Sequence, residues 1–120
     1  MSDKLVFVVT HGPENAERAS LPFVLAAAAQ ASGAEVFLVF QFNGVFLLRK
    51  GMIEHVPATG FAPLPDLLDV CREGGIRLLA CVPCLKERRL AAEDLIDGCE
   101  LVNAGTVVTH FLDATNVVVY

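Results

Sequence analysis

The chain has no run of about eighteen apolar residues, so a membrane-spanning helix is not expected. It has no surplus of positive charge. Nine lysines and arginines face fourteen aspartates and glutamates, and the net charge of −5 argues against nucleic acid as a partner. Neither G-x-G-x-x-G nor G-x-x-x-x-G-K occurs, so nucleotide binding has no motif to stand on. No Ser-His-Asp or paired-carboxylate pattern stands out, and no cofactor is implied. Tryptophan is absent. The opening "MSDKLVFVVT" has only a five-residue apolar run, Leu5 to Val9, too short for a signal-peptide core. A cytoplasmic protein with reduced thiols is the expectation.

What is abundant is apolar surface. Hydrophobic residues make up 54% of the 120 and charged residues 19%, more apolar than the usual globular balance. One domain spanning residues 1–120 is expected, with a subunit interface to absorb the excess.

Strands and helices alternate along the chain. "KLVFVVT" (Lys4 to Thr10) reads as a buried strand. Asn15 to Ser32 is alanine-rich and helical, closed by Gly33, with a kink or a late start expected at Pro22. "EVFLVFQF" (Glu35 to Phe42) is a second strand. "NGVFLLRKG" is a turn with one or two helical turns, and Met52 to Leu64 a loop. Pro65 to Glu73 reads as a helix ending at Gly74-Gly75, and Ile76 to Ala80 as a third strand. Short helical segments are expected at Cys84 to Arg89 and Ala91 to Asp97. A brief strand at Cys99 to Asn103, a helix at Ala104 to Ala114 and a last strand at Asn116 to Tyr120 complete the chain. Near-continuous apolar strands suggest a sheet covered on both faces. The fold class is α/β, a sandwich with a mainly parallel sheet of about five strands.

In such sheets ligands bind beyond the carboxyl ends of the strands. Three loops should gather there: "THGPEN", "QFNGV" and "ACVPCLKERR". The third holds Cys81 and Cys84. A strand-end cysteine, Pro83 in a first helical turn, and Lys86, Arg88 and Arg89 close by favour a thiolate, with Glu87 offsetting part of the charge. The alternative is that both cysteines only pack, as small buried residues do. The C-x-x-C spacing also allows a dithiol couple, but it follows a third strand and has no preceding tryptophan, so a thioredoxin fold is not expected. A structural metal site needs a second close pair of ligands. Cys71, Cys99, His11, His55 and His110 have no matching spacing, so no metal is expected. His11, in the first loop, is a candidate to orient a substrate or act as a base. Asn43, Lys86 and Arg88 are candidate binding residues.

In this order, "VVTHGPENAERAS", "AEVFLVFQFNGVFLLRKG", "LLACVPCLKERRL" and "DLIDGCELVNAGTVVTHFLDATNVVVY" resemble the DsrE/DsrF-like family, which includes the sulfur-relay TusD and YchN-like proteins. The resemblance covers nearly the whole chain. It implies a three-layer α/β/α fold with a five-stranded parallel sheet, assembly into trimers, hexamers or mixed oligomers, and sulfur-donor and sulfur-acceptor proteins as partners. It also implies a persulfide carried on the cysteine that closes the third strand, which is Cys81 here; Cys84 is an additional thiol. Two positions depart from the pattern: Asn43 stands where an aspartate is expected before Gly44, and Arg89 where many relatives have glycine.

The leading expectation is a sulfurtransferase-like persulfide carrier. Cys81 would accept sulfur, Lys86 and Arg88 would stabilise its thiolate, and Cys84 would attack the persulfide. A dithiol redox protein and a non-catalytic oligomeric binding protein are the competing expectations. The latter would leave all thiols slow to label.

Overall fold

Valine, leucine and phenylalanine at successive positions give strands with an apolar side chain on each face. In the computed structural model, which describes residues 3–120, five such strands form one sheet. They are β1 (Lys4–Val9), β2 (Glu35–Phe40), β3 (Arg77–Cys81), β4 (Cys99–Val102) and β5 (Asn116–Val119), in the order β4-β3-β2-β1-β5. Every pairing is parallel. From β1 to β4 the chain steps outward in one direction. Right-handed crossovers then place α1 (Ala16–Ala31), a 3-10 segment (Phe42–Leu48), α2 (Leu64–Glu73) and α3 (Val82–Glu87) on one face. The return from β4 to β5 runs the other way. The same handedness puts α4 (Ala104–Asp113) on the opposite face, and three layers result.

The first face holds most of the core. Phe7, Val9, Leu38, Phe40, Leu78 and Ala80 of the sheet pack with Phe23 of α1 and Leu64 and Leu68 of α2. The α4 face is thinner: Val6, Val8, Phe37, Val39, Leu79 and Val102 meet chiefly Val107. Full coverage of both faces was the expectation from the apolar strands, and this face departs from it. Val119 of β5 is 64% exposed and Leu112 of α4 81%, with Val108 and Val117 also exposed. One ten-residue helix is too short to shield five strands. At the amino end of this face Lys4 Nζ donates to His110 Nδ1 at 3.0 Å, and Arg77 and Glu100 form a two-bond ion pair. Burial, then the charges of Lys4 and Arg77, hold His110 below its ordinary range.

Two local expectations also change. The helix α1 starts at Ala16, where the Asn15 side chain accepts the Arg18 N–H, and continues through the buried Pro22. Packing of Phe23 and Ala26 against the sheet outweighs the hydrogen bond lost at Pro22. The segment after Ala91 forms only a 3-10 turn, Ala92–Asp94, in which Asp94 caps the Ala91 N–H. Among the described residues no helix is long and apolar enough to cross a membrane.

Two glycines separate backbone conformation from close packing. Gly33 ends α1 at φ +97 with open space around it, whereas a Cβ on Gly44 would lie 2.1 Å from the Val9 carbonyl oxygen. Gly33→Ala is expected to cost about 1 kcal/mol through conformation alone. Gly44→Ala is expected to cost about 3 kcal/mol or more by overpacking against backbone. Urea unfolding of both variants checks the order; equal losses would contradict the close approach at Gly44.

Candidate functional site at the carboxyl ends of the central strands

The three expected loops do meet. After β1 the chain passes Gly12, where an added Cβ would fall 2.2 Å from the Asn43 carbonyl oxygen. After β2 the Gln41 N–H bonds to the Val9 carbonyl, and Gly44 lies against that same carbonyl. The first two loops are therefore in backbone contact, which only glycine permits at either position. The third loop is α3, which begins directly after Cys81.

Two hydrogen bonds tie the third loop to the second, and a third braces Arg88 within its own loop. The Phe42 backbone N–H donates to Cys84 Sγ at 3.2 Å. Arg88 Nε donates to Asn43 Oδ1 at 3.0 Å, and Arg88 Nη1 donates to the Cys84 carbonyl at 3.2 Å. Phe42 reaches this position at φ +51, in the left-handed region, and the residue is 59% exposed. Such a backbone costs about 1–3 kcal/mol and persists where the surroundings fix it. Here Gly44, Asn43 and Cys84 fix it.

Cys81 shares the α4 face of the sheet with Leu79 and Val102, by strand alternation and register. It is half-buried, as is Cys84. Burial holds the Cys81 thiol above its ordinary range. The Cys84 backbone N–H opposes that rise, the Cys84 thiol and its charge add to it, and the charge of Arg88 lowers it. This corrects the expectation of a depressed thiol at a helix start. The helix has only six residues, and burial outweighs both it and Arg88. Lys86 is exposed and takes no part in setting Cys81. The two thiols thus sit in different surroundings: burial raises Cys81, and Cys84 Sγ receives a backbone N–H.

The remaining candidates fall around this centre. His11 Nδ1 lies 3.0 Å from Glu14 Oε2, and Glu14 Oε1 accepts the Gly12 N–H at 2.8 Å. Burial works against the Glu14 carboxylate, but the bonds from Gly12 and His11 prevail and hold it below its ordinary range. His11 therefore braces the first loop and is not bonded to either thiol. Cys71 is buried and Cys99 half-buried, and burial pushes each thiol up to about 11. Both read as packing residues. Among the described residues no three His, Cys, Asp or Glu side chains converge as a metal would require. A cavity of about 480 Å³ opens at the amino ends of the strands, between Leu5, Gly33 and Asn116, at the far end of the sheet from the thiols.

A family model described as DsrE/DsrF-like matches residues 3–120. The chain belongs to the DsrE/DsrF-like family. It is similar to an uncharacterised protein of Methanopyrus kandleri, with 34% identity over 98% of this chain and 94% of the relative. A second uncharacterised relative, from Methanocaldococcus jannaschii, is 30% identical over 98% of this chain and 99% of its own length. Among solved structures, the YchN protein of E. coli superposes with a TM-score of 0.82 at 22% identity, covering 98% of this chain and 99% of that one. A protein of unknown function from Methanobacterium thermoautotrophicum gives 0.76 at 18%, covering 99% and 100%. At these identities the structures establish a shared DsrE/DsrF-like fold.

Sequence reasoning found Cys81, Cys84, Asn43 and Arg88, which the fold brings together. It missed the Phe42 N–H, because a backbone donor has no side-chain signature. The only hint was Gly44 two residues on.

The Cys84 thiol raises Cys81, so removing it should lower Cys81. In Cys84→Ala the pH midpoint for alkylation of Cys81 is expected to fall relative to wild type. The check is peptide-resolved alkylation across a pH series, and a midpoint that rises would contradict the coupling.

Proposed function

We propose that this DsrE/DsrF-like chain is a sulfur carrier of the relay type, with Cys81 as the carrying residue. The observation that supports it is the pairing of two thiols at the end of β3, with a backbone N–H directed at the second. In loading, the Cys81 thiolate attacks the outer sulfur of a donor protein's persulfide. The donor's S–S bond breaks, the donor leaves as a thiolate, and Cys81 holds the persulfide. An acceptor thiolate then takes the outer sulfur in the same way and Cys81 is restored. Without an acceptor, Cys84 attacks Cys81 Sγ. Hydrosulfide leaves, a Cys81–Cys84 disulfide forms, and an external dithiol must return two electrons to reset the pair. Arg88 and Asn43 hold the second loop against α3, and His11 braces the first. Free thiols in this role fit a reducing, cytoplasmic setting.

The same contact favours a second reading, a dithiol redox couple that cycles without carrying sulfur. The two readings separate by variant. Incubated with a persulfide donor, Cys81→Ser is expected to gain no sulfur, and Cys84→Ser to gain it and hold it longer than wild type. Intact-mass spectrometry reads both. Persistent loading of Cys81→Ser would sink the carrier assignment, and a disulfide formed in wild type with no sulfur held by Cys84→Ser would favour the redox couple.

The carrier is also proposed to work as a homo-oligomer, a trimer or hexamer, with donor and acceptor proteins as its partners. The support is the apolar strip on the α4 face formed by Val108, Leu112, Val117 and Val119, which matches the apolar surplus of the sequence. Leu112→Glu, at a position with little burial to lose, is expected to leave the fold intact and shift the protein to monomer. Light scattering coupled to size exclusion is the check; an unchanged mass would place the interface elsewhere.

A further inference from the structure

A second charged feature lies beside the thiol site and is not used by the carrier chemistry. Arg49, Arg88 and Arg89 line one cavity of about 210 Å³, together with Phe46, Leu90 and Asp94. Three guanidiniums around so small a space repel one another, and that arrangement is costly unless something offsets it. Asp94 is the one acidic side chain in the lining. Among the described residues none of the three arginines forms an ion pair. Asp94 accepts the Ala91 N–H at 2.8 Å through Oδ2 and is occupied as a cap.

The walls are fixed by backbone bonds. Lys50 N–H donates to the Asp94 carbonyl at 2.9 Å, Ile96 N–H to the Leu48 carbonyl at 2.8 Å, and Leu90 N–H to the Leu85 carbonyl at 2.9 Å. Arg88 is held by Asn43 and by the Cys84 carbonyl through Nε and Nη1, and stands 5.9 Å from the centre of the Phe46 ring. Among the described residues its Nη2 has no hydrogen-bond partner. Arg89 is the more telling residue. It sits at φ +56, where an arginine is strained and glycine would be at ease. The strain brings a third guanidinium to the rim.

We infer that this cavity is a binding subsite for a small divalent tetrahedral oxyanion. The planar forks of Arg49 and Arg89, with the remaining Nη2 of Arg88, suit tetrahedral oxygens, and three positive charges against one aspartate suit a double negative charge. The volume, about 210 Å³, is below the usual range for drug-sized ligands, about 300–1,000 Å³, and suits a small ion. Because Arg88 belongs both to this cavity and to the bonds around Cys84, an occupant would be felt at the thiol pair. The inference does not rest on the sulfur-carrier reading, since occupancy is measured without reference to either thiol.

The test is NMR observation of the arginine Nε–H signals during titration of the full chain with sodium sulfate, sodium phosphate and sodium thiosulfate. Sodium chloride at matched ionic strength is the control. Saturable shifts of Arg88 and Arg89 with the oxyanions, and none with chloride, are expected. Each guanidinium removed should weaken binding about ten-fold. Arg89→Gly is the informative variant because it relieves the backbone strain and preserves the fold while losing the charge; Arg49→Ala is the second. Shifts that follow chloride, or affinity unchanged in the double variant, would overturn the subsite. Among binders, thiosulfate whose outer sulfur passes to a cysteine thiolate as its S–S bond breaks and sulfite leaves would mark the occupant as a sulfur source, and binding of sulfate and phosphate alone would mark it as an effector.

Discussion

The site depends on a contact between backbones. Gly44 lets the loop after β2 lie on the Val9 carbonyl, and Gly12 lets the loop after β1 lie on the Asn43 carbonyl. With a side chain at either place the second loop would be forced away. Its position decides two further things: where Asn43 meets Arg88, and where the strained Phe42 directs its N–H. The parallel sheet brings three strand ends to one edge, and these glycines bring the loops into register with the thiols.

The electrostatics then set Cys81 apart at the end of β3. Burial raises Cys81, and a charge on Cys84 raises it further. A thiol that holds its proton is a slow nucleophile at neutral pH, so in the proposed carrier loading would benefit from a donor that docks and delivers sulfur at close range. The exposed Phe42 lies at the mouth of the site, where such a donor would arrive. Cys71 and Cys99 show the contrast: burial pushes the same side chain up to about 11, and among the described residues no backbone N–H is directed at either sulfur.

Much of this was legible in the sequence. Alternating apolar runs and turn signals gave five parallel strands and the three loops at their ends, and the quoted segments gave the DsrE/DsrF-like family. Cys81 and Cys84 were visible from C-x-x-C, and Asn43 and Arg88 from their loops. Other features were not legible, for physical reasons. Pro22 reads as a break, but tertiary packing carries α1 through it. The thiol pKa depends on burial, which local charge does not report, so a basic flank suggested a shift of the wrong sign. The thin cover of the α4 face came from the length of one helix, which strand hydrophobicity does not encode. The departure at Arg89 was visible, but its meaning required φ, which shows the residue held where glycine would be at ease.

The most direct measurement is the distribution of sulfur over the four cysteines of the wild-type protein after brief exposure to a persulfide donor, resolved by peptide mass spectrometry. Sulfur on Cys81 first, followed by a Cys81–Cys84 disulfide, with Cys71 and Cys99 unchanged, is the expected pattern. Sulfur spread over all four cysteines, or none on Cys81 while a control thiol is loaded, would contradict a site built around this pair.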